Sequence, residues 1–227
     1  MIFTDSGIIL LRQDFRETDR IVSLYTREHG RLNARLPGVL RPSGKLKAIS
    51  ELFACADYRI YIRRGGTIGT ITGGKISNIF PALRADLKKL TLAFYFCELL
   101  YRLTPLHQPS EGKFELLYSS LKALDNGPVT PAFQAAFTLR LMMCAGFGLD
   151  RPVLKIPGKF WQKMHEAPLQ ELVFTEPEDL LSLSKCNNVC RRFLDQYLTY
   201  PLHTTQNLGL EIFHEPASVP HPVEVPI

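Results

Sequence analysis

The side chains whose type and spacing best predict a chemical role in this sequence are basic. Arg41, Lys45 and Lys47 lie in residues 37–50, a segment that also contains two prolines and two glycines. A mobile basic loop of this kind can follow a phosphate backbone without reading the base sequence. The segment therefore predicts a contact with nucleic acid, and the alternative is an ordinary solvated basic surface.

The net charge of +5 is concentrated in the first third of the chain. Residues 1–80 hold 13 Lys or Arg and 7 Asp or Glu, a net charge of +6, so the rest of the chain carries −1. A basic surface confined to one region is typical of nucleic-acid-binding proteins, and arginine suits both phosphate and bases. The residues predicted to make the contact are Arg12, Arg16, Arg31, Arg35, Arg41, Lys45, Lys47, Arg63 and Arg64. Arg20 and Arg27 are expected to pair instead with Asp19 and Glu28.

Four aromatic side chains of this region, Tyr25, Phe53, Tyr58 and Tyr61, could stack on bases, although the alternation of the strands favours a core position for each.

Catalytic signatures are scarce, since the chain has no Walker loop, no G-x-S-x-G and no H-E-x-x-H. Cys186 and Cys190 are four residues apart and are therefore expected to share one face of a helix. A zinc site is not expected there, because zinc would need a second pair of ligands. We therefore predict that the protein is not an enzyme.

The composition is that of a globular protein, and the five scattered cysteines are typical of reduced thiols in the cytoplasm. Neither a membrane span nor a secretory signal is expected.

About five short strands, with a hairpin turn at residues 65–66, predict a small barrel over residues 1–80. Helical periodicity then predicts helices over 81–104, from about 114 to 124, over 131–146 and over 178–200, with an irregular segment over 151–174. The fold class is α+β, divided into a barrel domain (1–80), a helical domain (81–213) and a disordered tail (214–227).

The order of the motifs resembles the RecO family of bacterial recombination mediators. Residues 14–31 (DFRETDRIVSLYTREHGR) are similar to the first hairpin of that family, and residues 38–53 are similar to its basic loop and the following strand. Residues 80–90 (FPALRADLKKL) look like its first long helix, and residues 146–150 (GFGLD) look like a helix-ending turn. The resemblance covers residues 1–150 well and the rest weakly.

The resemblance implies an OB-fold barrel followed by an all-α domain. It implies binding to single- and double-stranded DNA, annealing of complementary strands, and help in loading RecA onto SSB-coated DNA in the RecF pathway, in the cytoplasm at the nucleoid. The implied partners are RecR and the acidic C-terminal tail of SSB, for which the candidate contacts are Arg84, Lys88, Lys113 and Arg140.

Two departures from the family pattern change these expectations. Many members carry a four-cysteine zinc site after the GFGLD turn, whereas residues 151–154 (RPVL) contain no cysteine, so no zinc or other cofactor is expected. The basic stretch near the C-terminus of the family is replaced by residues 201–206 (PLHTTQ). An alternative therefore stays open: a protein-interaction module whose basic barrel binds an acidic partner and whose binding to DNA is weakened.

Overall fold

Five β-strands form a closed barrel in the N-terminal part of the chain. The computed structural model describes residues 1–147, 156–174 and 180–204. The strands are β1 (Ile2–Phe15), β2 (Asp19–Thr26), β3 (Gly30–Leu36), β4 (Cys55–Tyr61) and β5 (Ile68–Asn78). Their order around the barrel is β1-β2-β3-β5-β4, and all pairs are antiparallel except β3 with β5. The predicted barrel is confirmed, although β1 and β5 are longer than the short strands expected.

Alternation along the strands decides which side chains fill the barrel. On β3, Leu32, Ala34 and Leu36 are buried inside, while Arg31 and Arg35 lie on the outside and are partly exposed. This is the period-2 pattern of a strand with one buried face. The outward positions of the strands are therefore available for binding.

Strand β1 departs from simple alternation, because Ile8, Ile9 and Leu10 are all fully buried. Ile9 packs inside the barrel, whereas Ile8 and Leu10 belong to a second apolar cluster that continues into the helices. A register shift between Ile9 and Leu11 in the pairing with β2 accompanies this change. The unbroken apolar run at residues 8–10 thus reflects a strand covered on both faces.

The rest of the described chain is helical. The helices are α1 (Pro81–Ala85), α2 (Leu87–Leu103), α3 (Glu111–Asn126), α4 (Pro131–Cys144), α5 (Gly158–Glu166), α6 (Leu169–Phe174) and α7 (Leu180–Tyr197). No helix among the described residues is both long enough and apolar enough to cross a bilayer. The α+β class, a barrel followed by helices, is confirmed.

Two details of the helical prediction are wrong. A single helix was expected over 81–104, but Asp86 adopts an extended conformation and its carboxylate accepts the backbone N–H groups of Lys88 and Lys89, so a new helix begins there. The segment 151–174 was expected to be irregular, but its described part forms α5 and α6. Pro157 and Pro168 directly precede these two helices, where the missing N–H of proline is tolerated.

One of the two apolar clusters joins the barrel to the helices, and the other fills the inside of the barrel. Ile8, Leu10 and Tyr25 of the barrel belong to the same buried cluster as Phe96 and Phe137 of the helices. The change from strand to helix falls between Asn78 and Pro81. The division into separate domains at residues 80 and 81 stays a prediction, and the predicted disordered tail, residues 214–227, lies outside the described residues.

Candidate nucleic-acid interface

A basic cleft opens where the β1–β2 turn meets the end of β3. Its volume is about 800 Å³, and its lining residues are Arg16, Glu17, Thr18, Asp19, Arg35, Pro37, Gly38 and Arg41. The name basic cleft refers below to these residues. The cleft brings together three of the predicted DNA-contacting residues, Arg16, Arg35 and Arg41, from three different parts of the chain.

The carboxylate of Asp19 organises this cleft. It is almost fully buried, accepts the backbone N–H of Gly38 at 2.8 Å, and accepts Nε of Arg35, also at 2.8 Å. The N–H of Gly38, followed by Arg35, holds the pKa of Asp19 below its usual value despite the burial. Gly38 has φ +66°, a conformation that favours glycine. The loop is therefore fixed to the barrel at its first turn, and Arg35 is fixed toward the cleft.

The loop that follows the cleft, within residues 37–50, carries the other basic side chains predicted to contact DNA. Arg41, Lys45 and Lys47 are exposed, whereas Val39 and Ile49 of the same segment are buried in the barrel core. The segment is a series of turns that ends in a short 3₁₀ helix, Ala48–Ser50. Its basic side chains are thus free to contact a ligand while its apolar ones attach it to the barrel.

The tip of the β1–β2 hairpin exposes an aromatic ring beside a cation. Arg16 has φ +55°, and its guanidinium carbon lies 5.2 Å from the centroid of the Phe15 ring, which is 36% exposed. A non-glycine residue with positive φ is uncommon, and such strain is often found at binding sites. Arg16 and Phe15 together offer a cation and a stacking surface at the edge of the cleft.

Some of the basic side chains predicted to contact DNA already interact with other groups of the protein. Arg12 forms an ion pair with Glu51, and the guanidinium group of Arg31 lies over the ring of Tyr101 in α2. The expected partners of Arg20 and Arg27 are wrong, because each guanidinium finds its carboxylates on another segment. Arg20 pairs with Asp14 and Glu51, and Arg27 reaches across to α3, where it pairs with Glu111 and Glu115.

A second exposed basic group lies at the β4–β5 turn. Arg63 and Arg64 are both exposed there, and the outward side of β4 adds Arg59 and Tyr61, which is 41% exposed. The preference for core positions is confirmed for Tyr25, Phe53 and Tyr58, each at most 1% exposed, but not for Tyr61. Arg59 was missed as a candidate contact, although the alternation of β4 places it on the same outer face as the stacking candidate Tyr61.

An uncharged surface separates the basic cleft from the helices. Across the sheet, Leu11 pairs with Ser23, Ser23 with Asn33, and Asn33 with Ile68. All four side chains are at least partly exposed, and the hydroxyl of Ser23 donates to Oδ1 of Asn33 at 2.5 Å. We call these four residues the barrel face. It offers polar and apolar contacts next to a cationic site.

The four candidate contacts for an acidic peptide tail do not form one site. Arg84 donates to the carbonyl oxygens of Leu52 and Ile79, and Arg140 donates to those of Met164 and Ala167. Lys113 is buried, and burial lowers its pKa, whereas Lys88 is exposed. Arg140 lines a pocket of about 350 Å³, whose other walls include Met143, Cys144 and His165.

The predicted placement of the two closely spaced cysteines is confirmed. Cys186 and Cys190 are both fully buried on α7, and burial raises the pKa of Cys186 to about 12. Within the described ranges, no three His, Cys, Asp or Glu side chains are grouped so that they could hold a metal ion. Four of the five cysteines are buried, and Cys144 is exposed.

The comparison with known proteins agrees with this architecture. Residues 1–80 match the family described as Recombination protein O N terminal, and residues 84–151 match Recombination protein O C terminal. A protein of Geobacter metallireducens named DNA repair protein RecO is 33% identical over 156 residues, 64% of this chain and 63% of that protein. Proteins of the same name from Anaeromyxobacter sp. strain K and Listeria monocytogenes are 34% and 31% identical, covering 62% and 53% of this chain and 56% and 47% of their own lengths.

A closed barrel with the strand order found here, followed by packed helices, defines a protein with an N-terminal OB-fold and a helical region. The chain belongs to the RecO family. Its matched part spans less than two thirds of the length of each of these three relatives.

Proposed function

We propose that this chain is a DNA-binding repair protein that holds single-stranded DNA by its phosphate backbone on the OB-fold barrel. The observation that carries the proposal is the basic cleft, in which Arg16 and Arg41 are exposed and Arg35 is held in place. The exposed Lys and Arg side chains of the loop and of the β4–β5 turn add further positive charge to the surface of the barrel. The name of the relatives, DNA repair protein RecO, supports the same class of function.

The mechanism is electrostatic and involves no catalytic step. Each phosphate that a Lys or Arg neutralises releases condensed counterions, so affinity falls as salt rises. Exposed aromatic rings such as Phe15 and Tyr61 add stacking that tolerates any base. Screening the repulsion between two strands in this way favours annealing, and association with the nucleoid would follow from binding to DNA.

The finer parts of the proposal concern partners. We propose that the chain acts with RecR and the C-terminal tail of SSB in the RecF pathway, assisting RecA loading onto SSB-coated DNA. The pocket beside Arg140 is the best-supported position for the tail among the four candidates, because Met143 gives it an exposed apolar wall. Binding of a tail peptide should therefore be weaker in an Arg140→Gln variant and unchanged in a Lys88→Gln variant.

The central experiment is a fluorescence-anisotropy titration of labelled single-stranded and double-stranded oligonucleotides at several salt concentrations. Replacing Arg41, Lys45 and Lys47 together by Ala should weaken binding and reduce the log–log salt slope for single strands by up to about 2, roughly 0.7 for each lost phosphate contact. The matched control replaces three exposed bases of the helical region, Lys122, Lys159 and Arg192, by Ala. It removes the same charge and should leave the slope nearly unchanged.

The same titration distinguishes DNA binding from the alternative function, a protein-interaction module. If an acidic peptide binds the barrel and neither oligonucleotide does, the chain is a protein-interaction module. That possibility has one structural observation in its favour, since Arg12 and Arg35 already pair with carboxylates and have less charge to offer phosphates. Equal affinity and slope for the loop variant and the unmodified protein would refute the assignment of the loop.

A further inference from the structure

A small pocket lies in the crease between the barrel and helix α2. It is lined by Leu11 of β1, by Phe94 and Tyr101 of α2, and by His203 near the end of the described chain. Its volume is about 320 Å³. Pockets for small ligands usually measure about 300–1,000 Å³. The crease is therefore large enough for one planar ring system and too small for a folded element.

The aromatic wall of the crease is already combined with a cation. The guanidinium carbon of Arg31 lies 4.2 Å from the centroid of the Tyr101 ring, in a cation–π contact. Nε of Arg31 is buried and has no hydrogen-bond partner among the described residues. One side of the tyrosine ring is thus fixed against the barrel, and the remainder of the ring borders the pocket.

The charge in the crease favours an anionic ligand. Arg102 lies at its rim, and its nearest carboxylate, Glu98, is 3.9 Å away. Glu98 is 7% exposed and accepts the backbone N–H groups of His203 and Thr204. These hydrogen bonds orient the carboxylate toward residues 203 and 204, and the guanidinium groups of Arg31 and Arg102 outnumber it, so the net charge beside the pocket is positive.

The crease is continuous with the barrel face. Leu11 belongs to both, and along β1 it lies four residues before Phe15, a distance of about 13 Å for a strand. Phe15 is next to the basic cleft. OB-folds typically bind about 4–16 nucleotides, so a strand held in the cleft and laid across Ser23 and Asn33 reaches the crease within such a length.

We propose that the crease binds one unstacked base of single-stranded DNA, with Tyr101 and Phe94 as the apolar walls and Arg102 beside the adjoining phosphate. This inference rests on the proposed DNA-binding function and adds a base-binding position to it. An acidic peptide with an apolar side chain would match the same charge and shape. The continuity of the crease with the barrel face and the basic cleft favours DNA.

The test uses single-stranded oligonucleotides with 5-iodouracil at one position at a time, cross-linked by light to the full chain and mapped by mass spectrometry. The expected adducts are on Tyr101 or Phe94. Leu11→Trp should fill the mouth of the pocket and reduce these adducts about tenfold, the size of effect that stacking of one base can have. Leu11 is 37% exposed, so the change is made at the surface, and the matched control Leu11→Ala should keep the adducts.

A second variant, Arg102→Gln, removes the rim charge and should also reduce the adducts while the melting temperature is unchanged. Adducts found only on Tyr61 or Phe15, with DNA still bound, would refute the crease and leave the proposed function intact. If the unmodified protein binds no oligonucleotide even at low salt, the proposed function and the inference both fail. The crease is instead a peptide site if Leu11→Trp abolishes binding of an acidic peptide that ends in Phe but leaves cross-linking to DNA unchanged.

Discussion

Asp19 and Gly38 are joined by a hydrogen bond of 2.8 Å from the backbone N–H of Gly38 to the Asp19 carboxylate. This bond connects the start of β2 to the turn after β3, and the same carboxylate holds Arg35. The Asp19 carboxylate therefore acts as a positioning group in a cleft lined by arginines. It fixes the shape of the cleft and pairs with Arg35 alone among the three arginines that line it.

The first prediction concerns Asp19 and pH. Its pKa is lowered in the folded protein, so its contribution to stability is present above the ordinary value of 3.8 and is lost as pH falls through the folded pKa. Asp19→Asn should melt at a lower temperature than the unmodified protein at pH 7, and the difference should shrink below about pH 3.8. Thermal unfolding across pH 2.5–7 measures this. The control Glu17→Gln removes a charge from the same cleft, and an equal effect there would contradict the interpretation.

The sequence predicted the barrel well, because alternation is a local property of the chain, and it showed that the excess of basic residues lies in that part of the chain. It did not predict which arginines are free. Arg31 looks equivalent to Arg16 in the sequence, yet α2 supplies an aromatic ring to it, and Arg27, for which the sequence predicted Glu28 as the partner, pairs with two carboxylates of α3. Such partners come from helices more than 60 residues away, and the packing of helices on a barrel cannot be deduced from a local pattern.

The second prediction separates a structural arginine from a binding arginine. Arg20 is 8% exposed and bonds to Asp14, Ser50 and Glu51. Arg20→Ala should reduce the free energy of unfolding by about 1–3 kcal/mol, because the buried oxygens of Ser50 lose a charged donor. Arg64 is exposed, and Arg64→Ala should change stability by less than about 0.5 kcal/mol.

The binding measurement should rank the same two variants in the opposite order. Arg64→Ala should reduce the salt slope for single strands by about 0.7 if Arg64 contacts a phosphate. Arg20→Ala should leave the slope unchanged under conditions in which the variant is folded. Urea unfolding and anisotropy titrations are sufficient, and a slope that depends on Arg20 but not on Arg64 would reverse the assignment.

The third prediction concerns His165, which lies beside Trp161 and whose ring nitrogens are buried without a hydrogen-bond partner among the described residues. Burial, and then the charge of Arg140, lower its pKa from the ordinary value of 6.5. The unfolded chain therefore takes up a proton near pH 6.5 that the folded protein does not, and stability falls as pH decreases below that value.

Replacing His165 by Phe should remove this part of the pH dependence while keeping an aromatic ring against Trp161. The melting temperature of the unmodified protein should fall more between pH 7 and pH 5 than that of the variant. His203→Gln, a change at an exposed histidine, provides the control and should behave like the unmodified protein. Parallel curves for all three proteins would show that His165 does not titrate on unfolding.

The fourth prediction concerns Glu98, whose carboxylate fixes the last described residues of the chain to α2. It accepts the N–H groups of His203 and Thr204 at 2.8 and 3.0 Å and the Thr204 hydroxyl at 2.9 Å. Glu98→Ala leaves these donors without their acceptor, which should reduce the free energy of unfolding by about 1–3 kcal/mol. Glu98→Gln retains one amide oxygen and should lose less. Amide exchange at 203 and 204 should accelerate in the Ala variant before global unfolding, and exchange rates equal to those of the unmodified protein would mean that other contacts hold this segment.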